Sequence, residues 1–375
     1  MARRWRVTAG SDCSACTHRP FRIFFVLAAL AAVAGVAPWL AGLSPAGMTA
    51  AAWHSQMLVF GLMPAVMAGF LLTALPRWTR SAAMSRAFLL SLAALWLAGR
   101  AMPFCYPAFT APIAAGFILC VAGVVAVRVI GAGALREIKI VLLMVALAGA
   151  SASETALDAL AVGLRLRLAL AAEIGLVAVI AGRVAPALTA AYLALHGQEC
   201  GPRLPRAFEA AAALSLVAAL GLWTCDAAGQ APVSLVAAVL QATRWLAWRP
   251  WRVAHYAGLV AVHLAYAWIP LGLGLNTLRA AGLGVSGNAV LHAWAAGTVG
   301  AMCLGVMASM VRRQSRQAFS SPVGSQAMLV TSAAAAPLRL LSEVSAPLHP
   351  SYAALCWCAA FLLFLAAYRR PLGLS

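Results

Sequence analysis

The chain is short of charged residues, and above all of acidic ones. Of its 375 residues only 10% are charged and only nine are Asp or Glu, whereas soluble globular domains carry about 25% charged residues. Lys139 is the only lysine. The polar segments are short, which leaves no room for a catalytic domain outside the apolar segments. A soluble globular protein is therefore excluded.

Motifs of the common enzyme classes are absent as well. The sequence has no P-loop, no dinucleotide-binding fingerprint and no catalytic triad signature. Its nine cysteines lie mostly inside apolar segments, where a free thiol behaves as a small hydrophobe, so we expect no disulfide framework. The run from Cys13 to His18 resembles a c-type haem attachment sequence, but it has one extra residue before the histidine. We interpret that match as chance, and nothing identifies an enzyme.

Long apolar stretches fill the rest of the chain. Hydrophobic residues make up 64% of it, and a transmembrane helix needs roughly 20 apolar residues. We predict an all-α, polytopic transmembrane bundle of about twelve spans in one domain, 21–368, between an N-terminal tail, 1–20, and a C-terminal tail, 369–375. The predicted spans are 21–43, 53–75, 86–102, 107–127, 138–157, 168–190, 207–225, 231–247, 255–277, 286–311, 325–346 and 351–368.

The arginines predict how the bundle is oriented. They concentrate in the N-terminal tail and in every second loop after it, as at Arg77 and Arg80 or at Arg312 and Arg313. This alternation is the positive-inside pattern, and it places both termini in the cytoplasm. The net charge of +18 is spread between apolar segments, so we expect membrane lipid and not nucleic acid as the partner of this surface.

Histidines inside predicted spans are the main candidates for chemistry. His54 starts span 2 and His292 lies near the start of span 10, both in the non-cytoplasmic half; His349 precedes span 12 on that side, and His263 lies at mid-depth in span 9. Ionisable side chains are costly in lipid and often functional, and neutral imidazole binds haem iron and copper. The alternative is that each histidine only makes a hydrogen bond between helices.

Three further residues are candidates for a cofactor pocket. Arg183, in span 6, needs an anionic partner, for which a haem propionate is one candidate; snorkelling to the interface is the alternative. Glu173 lies too far along the same helix to pair with it. Tyr266 and Trp268 follow His263 and could shape a pocket around it, or they could belong to the core or to an interfacial aromatic belt.

Three blocks of sequence carry a family resemblance. They are Trp53-His54 through Thr79, Gly182 through Thr189, and His263 through Gly272 followed by His292-Ala293 and Gly297 through Met307. Their order and spacing, together with the twelve-helix layout, resemble the NnrS family of bacterial membrane proteins over nearly the whole chain.

The resemblance implies a haem- and copper-containing inner-membrane protein linked to nitric oxide and nitrosative stress. It implies His54, His263 and His292 as the candidate metal ligands, and Arg183, Tyr266 and Trp268 stay candidates for the surroundings of the cofactor. In helix 2 the family pattern is His-x-His-Glu, whereas this sequence reads His54-Ser55-Gln56-Met57. The second histidine and the carboxylate of the pattern are therefore missing here.

Two other functions stay open at this point. A transporter of small solutes without a metal cofactor would suit interrupted helices with polar groups near the midplane, although no inverted repeat is visible. A structural or assembly factor would need its histidines only to tie helices together. We favour a haem protein without turnover, and cofactor content distinguishes it from both alternatives.

Overall fold

The computed structural model describes residues 19–45, 47–153, 159–199, 204–317, 319, 322–345 and 347–374. Within these ranges the chain is an all-α bundle, which confirms the predicted fold class. A helix overlaps each predicted span. These helices are α1 Pro20–Ala34, α2 Ala50–Thr79, α3 Arg86–Cys105, α4 Thr110–Gly131, α5 Ile138–Ala152, α6 Ala159–Leu195, α7 Arg206–Thr224, α8 Gln230–Ala247, α9 Ala257–Ala280, α10 Gly287–Gln314, α11 Val323–Leu341 and α12 Ser351–Ala367.

Eight helices in the described part of the chain are long and apolar enough to cross a membrane. They are α2, α3, α4, α6, α7, α9, α10 and α1 with its extension to Leu40. Helix α12 is a shorter apolar helix, and the other three are shorter or less apolar. The number of twelve spans therefore stays a prediction. The cysteine run of the N-terminal tail lies outside the described residues.

Side-chain caps fix where several helices begin. The hydroxyl of Thr49 accepts a hydrogen bond from the backbone N–H of Ala52 at 3.1 Å and starts α2. Ser286 accepts from the N–H of Ala289 at 2.9 Å and starts α10. Such caps satisfy backbone donors that a helix leaves unpaired at its first turn. They place the N-terminal ends of α2 and α10, and with them His54 and His292.

Glycines let aromatic side chains pack directly on helix backbones. A Cβ atom added to Gly272 in α9 would lie 2.2 Å from the Trp294 ring, and one added to Gly300 in α10 would lie 2.1 Å from the Trp357 ring. Small residues at helix contacts are typical of membrane proteins, because they allow close approach. The contacts bring α9, α10 and α12 together around a common core.

Helices α2 and α10 each contain a π-helical segment. It covers Leu58–Leu62 in α2 and Ala293–Gly300 in α10. A π turn carries one more residue than an α turn and is frequent at functional sites. The indole of Trp96 donates to the carbonyl of Gly61 inside the first segment at 3.1 Å. Both segments follow a histidine by less than two turns.

Candidate ligand cavity

A cavity of about 250 Å³ lies at the N-terminal ends of α2 and α10. Most of its wall is aliphatic or aromatic, with α6, α11 and α12 completing it. A mainly apolar pocket with a few convergent polar groups is the usual form of a small-molecule site. The polar residues that line it are His54, Glu173, Asn288, His292 and Arg339.

His54 presents one ring nitrogen to this cavity in a fixed protonation form. Its Nδ1 lies 3.0 Å from the carbonyl oxygen of Gly35, in the turn after α1. A carbonyl can only accept, so Nδ1 carries the proton and the Nε2 of the neutral ring keeps its lone pair. The ring of Trp39, at 6.1 Å between centroids, supports the imidazole from the side.

His292 is arranged in the same way from the other helix. Its Nδ1 donates to the carbonyl oxygen of Asn288, one turn earlier in α10, at 2.9 Å. Its Nε2 therefore also keeps a lone pair, and neither this Nε2 nor that of His54 has a hydrogen-bond partner among the described residues. A ligating histidine normally donates its other N–H to a carbonyl or carboxylate in this way.

Glu173 also lines this cavity, where its sequence context did not predict it. It comes from the middle of α6, is only 1% exposed, and lines the same cavity as the two histidines. Its Oε1 has no hydrogen-bond partner in the described part of the protein. A single acidic residue within a long apolar helix is costly in lipid. An isolated acidic residue in an apolar helix is thus the sequence feature that could have predicted a functional role for Glu173.

Arg339 contributes positive charge at the rim of the cavity. Its Nη1 lies 3.0 Å from Oε1 of Glu343, four residues later in the chain. Glu343 also accepts a hydrogen bond from Ser286, the cap of α10. This chain of contacts ties the end of α11 to the start of the helix that carries His292.

His263 does not reach this cavity. It is buried in α9, and its Nε2 lies 2.9 Å from the hydroxyl of Thr189 in α6, while its Nδ1 has no partner among the described atoms. The indole of Trp245 donates to its backbone carbonyl at 2.9 Å. The histidine therefore links α6, α8 and α9, and the structure does not bring it together with His54 and His292.

Tyr266 belongs to a buried polar network instead of the cavity wall. Its hydroxyl accepts from Nη1 of Arg244 at 2.8 Å and donates to Oε1 of Gln241 at 2.5 Å. Arg244 also donates to Glu209 at 2.8 Å. A Cβ atom at Gly182 would lie 2.3 Å from the Arg244 guanidinium. The glycine of the Gly-Arg-Val block thus makes room for this arginine.

The remaining two predicted residues also lie elsewhere. Arg183 forms an ion pair with Glu137, from the connection before α5, and its side chain is 40% exposed. Trp268 packs on Gly297, where an added Cβ atom would lie 2.4 Å from the indole. The structure thus unites His54 with His292 and separates Arg183, Tyr266, Trp268 and His263 from them.

The donor set of the cavity fits haem iron better than copper. No group of three or more His, Cys, Asp or Glu side chains in the described ranges is arranged to hold a metal ion. Haem needs only one or two axial protein donors, because the macrocycle supplies the others. The volume of about 250 Å³ lies below the roughly 300–1,000 Å³ of common ligand pockets. It is ample for a diatomic gas and holds only part of a macrocycle, so a haem bound to these histidines would have to extend beyond the cavity.

Comparison with known protein families identifies the family of this chain. The model of one protein family, described as NnrS protein, matches residues 15–373. The curated proteins contain no match to the chain.

Proposed function

This chain belongs to the NnrS family, and on that premise we propose that it is a haem protein of the bacterial inner membrane acting in the response to nitric oxide. Copper is the second candidate metal. The observation that carries the proposal is the pair of histidines, His54 and His292. Both donate Nδ1–H to a backbone carbonyl and both line one apolar cavity.

The side chains of the cavity would each have a distinct task. Nε2 of either His54 or His292 would supply the protein ligand to haem iron, with the other imidazole beside it in the cavity. The carbonyls of Gly35 and Asn288 would hold both rings in the ligating tautomer. The aliphatic wall keeps water out. Glu173 offers a carboxyl oxygen inside this wall, where it can hold or release a proton.

The chemistry of the cavity suits a small uncharged ligand. Ferrous haem, when bound, would supply an iron able to bind nitric oxide at the position that a single histidine ligand leaves open. The wall contains one carboxyl and one guanidinium group among mostly apolar side chains, so a neutral diatomic molecule can enter at little desolvation cost. We propose binding or shielding of nitric oxide and no catalytic turnover.

The test is the visible spectrum of the purified full-length protein. Cells are supplied with haem and copper, and the reduced-minus-oxidised spectrum is recorded together with metal analysis. We expect a haem Soret band that is lost or shifted in His54→Ala and His292→Ala. The matched control is His349→Ala, an exposed histidine whose Nδ1 contacts only Ser351; its spectrum should stay unchanged.

His263→Ala distinguishes the cavity from the wider set of histidines. Because His263 contacts Thr189 and not the cavity, this variant should lower stability and leave the haem spectrum in place. A colourless, metal-free preparation from supplemented cells would refute the haem proposal. The transporter alternative would then be tested by solute uptake into proteoliposomes.

A further inference from the structure

A second, larger cavity lies at the opposite ends of α2 and α10. Its volume is about 840 Å³, and its wall comes from the ends of these two helices, the connection before α5, the second half of α6 and the residue before α9. Six arginines line it: Arg77, Arg136, Arg183, Arg312, Arg313 and Arg316. Glu137 is the one carboxylate among the described lining residues.

Glu137 cannot balance this charge. It is buried, at 4% exposure, and it is already shared by Arg183 and by Arg136, whose Nε lies 3.0 Å from its Oε1. Arg77, Arg313 and Arg316 have no ion-pair partner among the described residues. All three side chains line the same cavity, so their positive charges surround one space. Like charges held together favour binding of an anion between them.

Other arginines at this end of the bundle have hydrogen-bond acceptors in the protein. Arg128 donates to the hydroxyl of Ser81 at 2.5 Å and to the carbonyl of Ala82. Arg19 donates to the carbonyl of Gln314 at 2.8 Å. General retention of arginine on the cytoplasmic side accounts for residues of this kind. It does not account for three guanidinium groups that line one cavity without an acceptor among the described residues.

One side of the cavity is an aromatic wall. The rings of Tyr256 and Phe319 meet edge to face at 5.1 Å, and Tyr192 stacks on Tyr256 at 6.0 Å. The buried guanidinium of Arg312 lies over the Tyr256 ring at 5.8 Å. This packing holds Arg312 and the wall in place, so the cavity has a rigid side before any ligand arrives.

We propose that this cavity binds a phosphate-bearing anion, with Arg77, Arg313 and Arg316 as the contacting residues. The planar guanidinium fork matches phosphate oxygens in a bidentate manner, and the volume admits more than a single small ion. The source is either a soluble phosphate compound of the cytoplasm or the headgroup of an anionic lipid; basic pockets between helices on this side bind such headgroups. The inference is independent of the haem proposal, which concerns the other cavity.

The experiment measures binding of two probes to the delipidated full-length protein in detergent. Sodium pyrophosphate is the soluble probe, followed by calorimetry, and cardiolipin is the lipid probe, followed by native mass spectrometry. Arg77→Gln and Arg313→Gln should each weaken binding about tenfold or more, since each removes a charge-assisted contact. Arg86→Gln is the matched control. It removes an exposed arginine at the same end of the bundle, outside the cavity.

Each outcome is decisive. Saturable pyrophosphate binding that the two cavity variants weaken supports a soluble ligand, and variant-sensitive retention of cardiolipin alone supports a lipid headgroup. Failure of both probes to bind overturns the proposal, and so does equal weakening by Arg86→Gln, which would mark the effect as unspecific surface charge. The haem spectrum of the variants should equal that of the parent protein, so failure here is separable from failure of the haem proposal.

Discussion

Replacing Tyr266 by Phe separates a structural role of this residue from a role in cofactor binding. The change removes only the hydroxyl, which joins Arg244 to Gln241. Gln241 is 1% exposed and its amide nitrogen already donates to the carbonyl of Ala212 at 2.7 Å. The amide therefore cannot turn to find another partner for its oxygen without losing that bond.

The magnitude follows from this count of bonds. Arg244 keeps Glu209 as a partner, so the main cost is one buried acceptor without a donor, about 1–3 kcal/mol of unfolding free energy. For a cooperative unit of 375 residues we expect the melting temperature to fall by roughly 1–4 °C. Thermal denaturation in detergent measures the shift, with Tyr106→Phe as control, because Tyr106 is 65% exposed. An unchanged melting temperature combined with a lost Soret band would refute the structural role and place Tyr266 at the cofactor.

Three further outcomes follow from described contacts. Gly272→Ala should lower the melting temperature by overpacking against Trp294, at a cost of about 1–3 kcal/mol. The control is Gly274→Ala, which has nothing within 4 Å of the added atom and should be neutral or stabilising. Equal effects of the two substitutions would contradict the packing argument. Hydrogen bonds from Gln230 and then Arg279 lower the pKa of Asp226 below its ordinary value of 3.8, so Asp226 stabilises the fold above that pH and its contribution is lost as the pH falls through the lowered pKa. Asp226→Asn should therefore lower the melting temperature slightly at pH 7, and the difference should shrink as the pH falls below 3.8. A difference that stays constant over this pH range would contradict the assignment. Glu173→Gln keeps the shape of the cavity wall and removes its one carboxyl group among the described residues, so it should retain the Soret band. Any pH dependence of nitric oxide binding that this carboxyl causes should disappear, and a pH series of spectra measures it; an unchanged pH profile would exclude Glu173 as its source.

The helices were predictable because each is an apolar stretch bounded by polar, proline or glycine residues. The alternation of arginines also placed His54 and His292 in the same half of the bundle, and both residues line one cavity. Depth in the membrane can be read from a sequence, because it depends only on distance along a helix.

The sequence does not show how each helix is rotated about its axis or which helices are its neighbours. The predicted depth of His263 in the membrane is compatible with a ligand site, but its side chain contacts Thr189 in α6 and does not reach the cavity. Arg183 was compared with Glu173 in its own helix, whereas its partner Glu137 comes from a connection 46 positions away. Glu173 was visible as an isolated acid, but only the packing of α6 shows that it faces the histidines.

The direction in which the His54 side chain points depends on the number of residues in the π turn Leu58–Leu62. An α-helix turns by about 100° and rises about 1.5 Å per residue. Loss of one residue from this turn would restore a regular α-helix, leave Met63–Thr79 seated in the core, and swing His54 by about 100° away from the cavity. The remaining helix would be just as apolar and would pack almost as well. A single-residue deletion would therefore remove His54 from the cavity without changing the hydropathy of the helix. In a related sequence, the number of residues in this turn would thus indicate an intact site better than the presence of the histidine alone.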